Sequence, residues 1–270
     1  MSNIIVSEEN SVIEVVLNRP EKYNAVSADM RDVLAGAVAT FGERPDLRVM
    51  LIRAEGKYFT SGVEVGSSLV PDFHGSTQVA RDWYRRRFAP IFVEMESIEK
   101  PIVIAHQGPC LGVGLEMSLS CDFRLAATRA SYGLPETELG MLPGSGGTSR
   151  LTRIVGTHWA RWLIMANQRI DAEQALRMGL VHEVYPDETF KESVTAFCSM
   201  LAAMPPETMA LAKVGIELAK DLESAQARRV EQVLNSILFI GDERVARLRQ
   251  FLDRQAEKRA ARSKPDDGTR

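Results

Sequence analysis

Cysteine and histidine are scarce in this sequence, with three Cys and four His in 270 residues. Cys110, Cys121 and Cys198 make no metal-binding spacing, and Cys110 and Cys121 lie among apolar neighbours, where reduced, buried thiols are expected. His74, His106, His158 and His182 form no HxH or HxxxH pair, so no metal site is expected. Charge of either sign is not in excess: 33 Lys+Arg against 36 Asp+Glu leaves a net charge of -3. Such a balance supplies no global field for nucleic acid or an anionic membrane, and neither is expected as a partner. No apolar run approaches the length of a membrane span. The opening "MSNIIVSEENSVIEV" has neither the basic start nor the long apolar core of a secretion signal, so a cytoplasmic location is expected.

What is present is ordinary globular material, 45% hydrophobic and 26% charged, enough for one large core. "IIVSEE" and "VIEVVLN" alternate like paired strands around a turn at Glu9-Asn10-Ser11. Ser27 is placed to cap a helix, "ADMRDVLAGAVATFG", and "RVMLIRAEG" and "PIVIAHQG" read as buried strands. Residues 63–76 look irregular, 77–97 read as one helix, and a further helix is expected over 113–121, followed by the strand "FRLAAT". "YGLPETELGMLPGSGGTSR" reads as a loop. Beyond it the pattern is mainly helical, over 157–166, 171–178, 187–203, 206–220, 223–239 and 242–260, with a short strand in "LVHEVY". The expected layout is an α/β core over 1–200, a helical region over 201–260 and a polar disordered tail over 261–270.

Two glycine loops carry the chemistry. In "FTSGVEV" Gly62 allows a path that leaves the Val63 N–H facing a cleft. In "GPCLGVGLEMSLSCD" a helix starts near Val113, whose N–H has no partner inside the helix and sits at the end that favours negative charge. Two such donors from separate loops would form an oxyanion hole. Glu116 follows Val113 by three residues, and Glu136, fixed by Pro135, adds a second carboxylate. A carboxylate pair beside a polarised carbonyl suits general acid–base chemistry. Taken one at a time, Glu116 also reads as a helix-start acid favoured by the dipole, and Glu136 as a solvated loop carboxylate. A dinucleotide loop is a poor match to "GPCLGVG", because the third fingerprint glycine is Met117.

Five stretches, taken in order, resemble the enoyl-CoA hydratase (crotonase) family: "LNRPEKYNAVSADM", "GKYFTSGVEV", "KPIVIAHQGPCLGVGLEMSLSCDFRLAA", "YGLPETELGMLPGSGGTSRL" and "ALRMGLVHEVYP". The resemblance implies a spiral of β-β-α units followed by a helical C-terminal trimerisation region, and a homotrimer or a hexamer built from two trimers. It implies an acyl-CoA thioester substrate, with coenzyme A as part of the substrate and no separate cofactor. It assigns the carbonyl donors to the Val63 and Val113 N–H groups, the acid–base pair to Glu116 and Glu136, and the CoA channel to Lys22, Ala25, Ser61 and Val65. With both glutamates present, it favours reversible hydration of a 2-enoyl-CoA. A double-bond isomerase and a non-catalytic acyl-CoA-binding or RNA-binding member of the fold are the alternatives. The chain departs from the family pattern in three places. Val113 stands where glycine is common, its branched side chain being expected to narrow the site. Glu64 stands where aspartate is usual, and the segment from Gly66 to Tyr84 differs most. Trp83, Tyr84 and Phe88 are candidates for the acyl pocket or for core, and Arg85-Arg86-Arg87 for an anion-attracting run or a solvated face.

Overall fold

The computed structural model describes residues 2–64 and 73–262. Val65 and residues 66–72 of the divergent segment lie outside the described residues, as does the expected tail from residue 263 onward. The chain divides into two compact units, Met1–Met204 and Pro205–Arg270.

The first unit is built on a six-stranded sheet of β1 (Ile4–Glu9), β2 (Val12–Leu17), β3 (Val49–Ala54), β4 (Ile102–His106), β6 (Phe123–Ala127) and β9 (Glu183–Tyr185), in that spatial order. A second sheet joins β5 (Cys110–Leu111), β7 (Ser131–Gly133) and β8 (Ile170–Asp171). Asn10 and Ser11 both take positive φ, 50° and 64°, as a tight two-residue hairpin requires, and β1 pairs with β2 from Ile4↔Leu17 to Glu9↔Val12. From β2 onward the main sheet is parallel, and its central strands β3 and β4 are apolar runs buried on both faces, with Met50, Ile52, Ile102 and Ile104 fully enclosed.

The helices of this unit are α1 (Ala28–Glu43), α2 (Thr77–Arg86), α3 (Ala89–Ser97), α4 (Val113–Ser118), α5 (Gly147–Ala160), α6 (Ala172–Arg177) and α7 (Phe190–Ala202). A repeating path emerges: main-sheet strand, short second-sheet strand, helix. It runs β4–β5–α4, then β6–β7 and a 3-10 turn over Pro135–Leu139 into α5. Isolated parallel bridges, Thr60↔Cys110 and Val26↔Val63, continue the second sheet toward the chain start. The second unit holds α8 (Pro206–Ala219), α9 (Ser224–Ile240) and α10 (Asp242–Arg262).

Several local expectations change. The helix expected over 77–97 is two helices, because Arg87 leaves helical geometry (φ -97°, ψ -95°) and Pro90 starts a new one in its first turn. Ser27 precedes α1 in extended geometry, but its hydroxyl donates to the Asp29 carboxylate and caps no N–H. α4 ends at Ser118, three residues short of the expected span. α5 breaks at Gly156 (φ 76°, ψ 166°), so the helix expected from 157 is its second part, and its first part takes in the last four residues of the presumed glycine loop, 147–150.

Candidate active site

Pairing in the second sheet assembles the site. Thr60 and Cys110 are bridge partners, with the Thr60 N–H donating to the Pro109 carbonyl at 3.1 Å and the Leu111 N–H to the Thr60 carbonyl at 3.1 Å. Two parallel segments in this register bring out Val63 and Val113 side by side, each three residues past its paired position. Gly62 and Gly112 touch: a Cβ on Gly112 would stand 3.6 Å from the Gly62 Cα. On the other side of Val63, the Val26 N–H donates to the Gly62 carbonyl (2.8 Å) and the Glu64 N–H to the Val26 carbonyl (3.1 Å). These bonds use the groups flanking the Val63 N–H. Among the described residues, no acceptor meets the N–H of Val63 or Val113. The Val113 side chain is buried and belongs to the hydrophobic core.

The glutamates arrive from different elements. α4 is buried over its whole length, and Glu116 is only 4% exposed. Its Oε1 accepts from the Ser145 N–H at 2.7 Å and the Gly147 N–H at 3.1 Å. From the first turn of α4, the carboxylate therefore binds the turn that opens α5. Burial pushes its pKa up to about 7, the Glu136 charge adds to the rise, and the two N–H bonds and the Arg150 charge oppose it.

Glu136 sits in the 3-10 turn after β7. The pairing Leu111↔Gly133 and the bond from the Gly112 N–H to the Gly133 carbonyl (3.1 Å) bring that turn over Gly112. Gly112 has φ +55°, which favours glycine, and a Cβ there would stand 2.9 Å from Glu136 Oε1 and displace that carboxylate. Glu136 Oε2 is buried without a hydrogen-bond partner among the described residues, and burial raises the pKa of this carboxyl too. The solvated-loop reading of Glu136 is set aside. Two carboxyl groups and two N–H donors thus surround one place, able to polarise a carbonyl and to exchange protons beside it.

Of the residues expected in the CoA channel, Lys22, Ala25 and Ser61 lie on the loop pair next to the donors. Lys22 is exposed, and its charge helps lower the Glu64 pKa, which the hydrogen bond from Arg19 lowers most. Ala25 donates its N–H to the Lys22 carbonyl (3.0 Å), and Ser61 its N–H to the Tyr23 carbonyl (3.0 Å). Glu64 accepts from Arg19 at 2.8 Å and pins the end of the donor loop. The three aromatic candidates part company. Phe88 is core, stacked on Phe92 at 6.0 Å. Trp83 lines a groove of about 620 Å³ with Arg31, Arg86 and Arg87. Tyr84 alone is electrostatically coupled to both Glu116 and Glu136. Arg85 pairs with Asp82 on the surface at 3.1 Å.

Sequence reasoning missed Asn24. Fully buried with φ +52°, it accepts from the Arg19 N–H (2.7 Å) and donates to the Glu55 and Tyr58 carbonyls (2.8 Å each). Its carbonyl accepts from the Thr60 hydroxyl (2.7 Å), which accepts in turn from the Gly62 N–H (3.1 Å). Asn between a turn and an apolar run was the available signal, since Asn tolerates left-handed backbone. Ser145 was missed because it acts through its backbone.

Among the described residues, no group of three or more His, Cys, Asp and Glu is arranged to hold a metal ion, and no helix is long and apolar enough to cross a membrane.

Comparison with known proteins identifies the family. The family model described as enoyl-CoA hydratase/isomerase matches residues 7–262. The short-chain-enoyl-CoA hydratase of Clostridium acetobutylicum is 32% identical over 236 residues, covering 84% of this chain and 86% of the relative. The 2,3-dehydroadipyl-CoA hydratase of Escherichia coli K12 is 28% identical over 255 residues, covering 94% and 97%. A crystal structure of enoyl-CoA hydratase from Bacillus anthracis superposes with a TM-score of 0.86 at 29% identity, covering 94% of this chain and 97% of that one. With its α/β spiral and helical C-terminal unit, the chain belongs to the enoyl-CoA hydratase/isomerase family.

Proposed function

We propose that the protein is an enoyl-CoA hydratase, adding water reversibly across the 2,3 double bond of a 2-enoyl-CoA thioester. One observation carries this reading: two carboxyl groups, the buried Glu116 and the half-buried Glu136, converge at the start of α4, with Glu136 Oε1 packed against Gly112. The thioester oxygen accepts from the Val63 and Val113 N–H groups. That polarises the conjugated system, makes C3 electrophilic and stabilises the enolate-like charge formed on attack. The glutamates hold one water between them. Glu116, ionised, takes a proton from the water as its oxygen bonds to C3. Glu136, protonated, gives a proton to C2, and the pair then holds one proton as before. A base poised near neutrality suits this exchange, and the Glu116 pKa of about 7 lies there.

Lys22, Ala25, Ser61 and Val65 are assigned to the CoA moiety, which enters with the substrate. A homotrimer or hexamer in the cytoplasm belongs to the same reading. The experiment is turnover of crotonyl-CoA and a panel of longer and aromatic enoyl-CoAs by the purified chain, with product identification. A 3-hydroxyacyl-CoA supports hydration, and a displaced double bond supports isomerisation.

A further inference from the structure

The turn Pro143–Gly147 does the unusual work of holding Glu116 by two backbone N–H groups, and its rigidity decides where that carboxylate sits. Two elements grip it from outside. From α3, Glu96 takes a bidentate pair from Arg150 (2.7 Å to each oxygen), and Arg150 also donates to the Ser145 carbonyl at 3.0 Å. From α2, one side of the Tyr84 ring lies against Gly144: a Cβ built there would meet Cε1 at 2.8 Å, Cδ1 at 3.2 Å and Cζ at 3.4 Å. Trp83 backs the same ring edge-on, with centroids 4.8 Å apart.

We propose that Tyr84 is a positioning residue, its ring bracing Gly144 so that the Ser145 and Gly147 N–H groups stay aimed at Glu116. The inference rests on the hydratase reading only for its kinetic consequence. The chain of contact runs from Tyr84 to Gly144 by packing, to Ser145 by the covalent chain and to Glu116 by a hydrogen bond, with Gly147 two residues further along the same turn donating to the same oxygen. The location is consistent with the tyrosine's own chemistry. Burial raises its pKa, and the Glu116 and Glu136 charges raise it further, so the phenol stays neutral beside the two carboxyl groups. The ring is what the brace requires. Phenylalanine supplies it and alanine does not.

The test has two arms. In the first, Tyr84→Ala lowers kcat on crotonyl-CoA about 10²-fold with KM little changed, the usual cost of displacing a reacting group by about 1 Å. Tyr84→Phe restores most of that loss. Gly144→Ala, approaching the same contact from the other side, lowers kcat in the presence of Tyr84 but adds little to Tyr84→Ala, because the pair is coupled. In the second arm, amide exchange of Ser145 and Gly147 is at least about tenfold faster in Tyr84→Ala than in the wild type or Tyr84→Phe. This arm needs no turnover, so it decides the brace even if the wild type hydrates nothing, an outcome that would count against the hydratase reading alone. Unchanged exchange at Ser145 and Gly147 overturns the proposal. So does a Tyr84→Ala variant that alters KM or chain-length preference with kcat intact, or a Tyr84→Phe variant as impaired as Tyr84→Ala.

Discussion

At the scale of the residue, Glu116 is held in a state that favours chemistry over stability. Its carboxyl has an ordinary pKa of 4.5 unfolded and about 7 folded. The folded protein therefore binds the extra proton between these values, and stability falls as pH rises through that window. The plateau above pH 7 carries the full cost, at most roughly 3 kcal/mol at 1.36 kcal/mol per pKa unit. Glu116→Gln keeps an oxygen for the Ser145 and Gly147 N–H groups and removes the charge. It is expected to raise the melting temperature at pH 8 and to change it little at pH 4, read by thermal denaturation at both values. The same variant is expected to lose about 10²–10⁴ in kcat, as is Glu136→Gln. Gly112→Ala makes a different prediction. Its Cβ would enter the space of Glu136 Oε1 at 2.9 Å in a left-handed backbone. Activity should drop by at least about 10²-fold while the far-ultraviolet circular dichroism stays native.

At the scale of the element, the parts legible in the sequence are those set by local pattern. The buried parallel strands announce themselves as runs such as "RVMLIRA" and "KPIVIAH", and the donor loops as glycines between a strand and the next element. Glu116 is conspicuous because it sits in an otherwise apolar run, whereas Glu136, with Glu138 two residues on, stands out only through the family resemblance. The illegible parts depend on what packs against them. The break between α2 and α3 is an exception, because Pro90 in the first turn of α3 is a local signal that a single helix over 77–97 overlooks. The start of α5 at Gly147 is stabilised by Glu116, thirty-one residues earlier in the chain. No local signal distinguishes Tyr84 from Trp83 or Phe88; only the tertiary contact with Gly144 does. Asn24 belongs to the same class, a polar residue whose partners come from Glu55 and Tyr58. Replacing it leaves two carbonyls and the Arg19 N–H without their partner in a buried place, a cost of about 1–3 kcal/mol for each such group. Asn24→Ala is accordingly expected to lower the melting temperature and to weaken binding of a CoA ester, both measurable by calorimetry.

At the scale of the whole molecule, the second unit has its own requirement. α8 and α9 contain no buried residue in the single chain, and Ile216, Val233, Ile237, Phe239 and Ile240 are exposed, Ile240 at 87%. Apolar surface of this kind marks an interaction face. Light scattering behind a sizing column is expected to give three or six times the 30.0 kDa chain mass, and Ile237→Asp is expected to shift that mass downward. A monomer at micromolar concentration would contradict the oligomer. The claim on which everything else leans is that one water, held by two glutamates beside a two-donor oxyanion hole, adds across an enoyl thioester. The most direct test is loss of the conjugated absorbance of crotonyl-CoA, with the product identified, for the wild type, Glu116→Gln and Glu136→Gln side by side. A 3-hydroxyacyl-CoA from the wild type, and its near absence from both variants, is the expected result. An intact enoyl thioester with the wild type across the whole panel, or wild-type turnover in either variant, contradicts it.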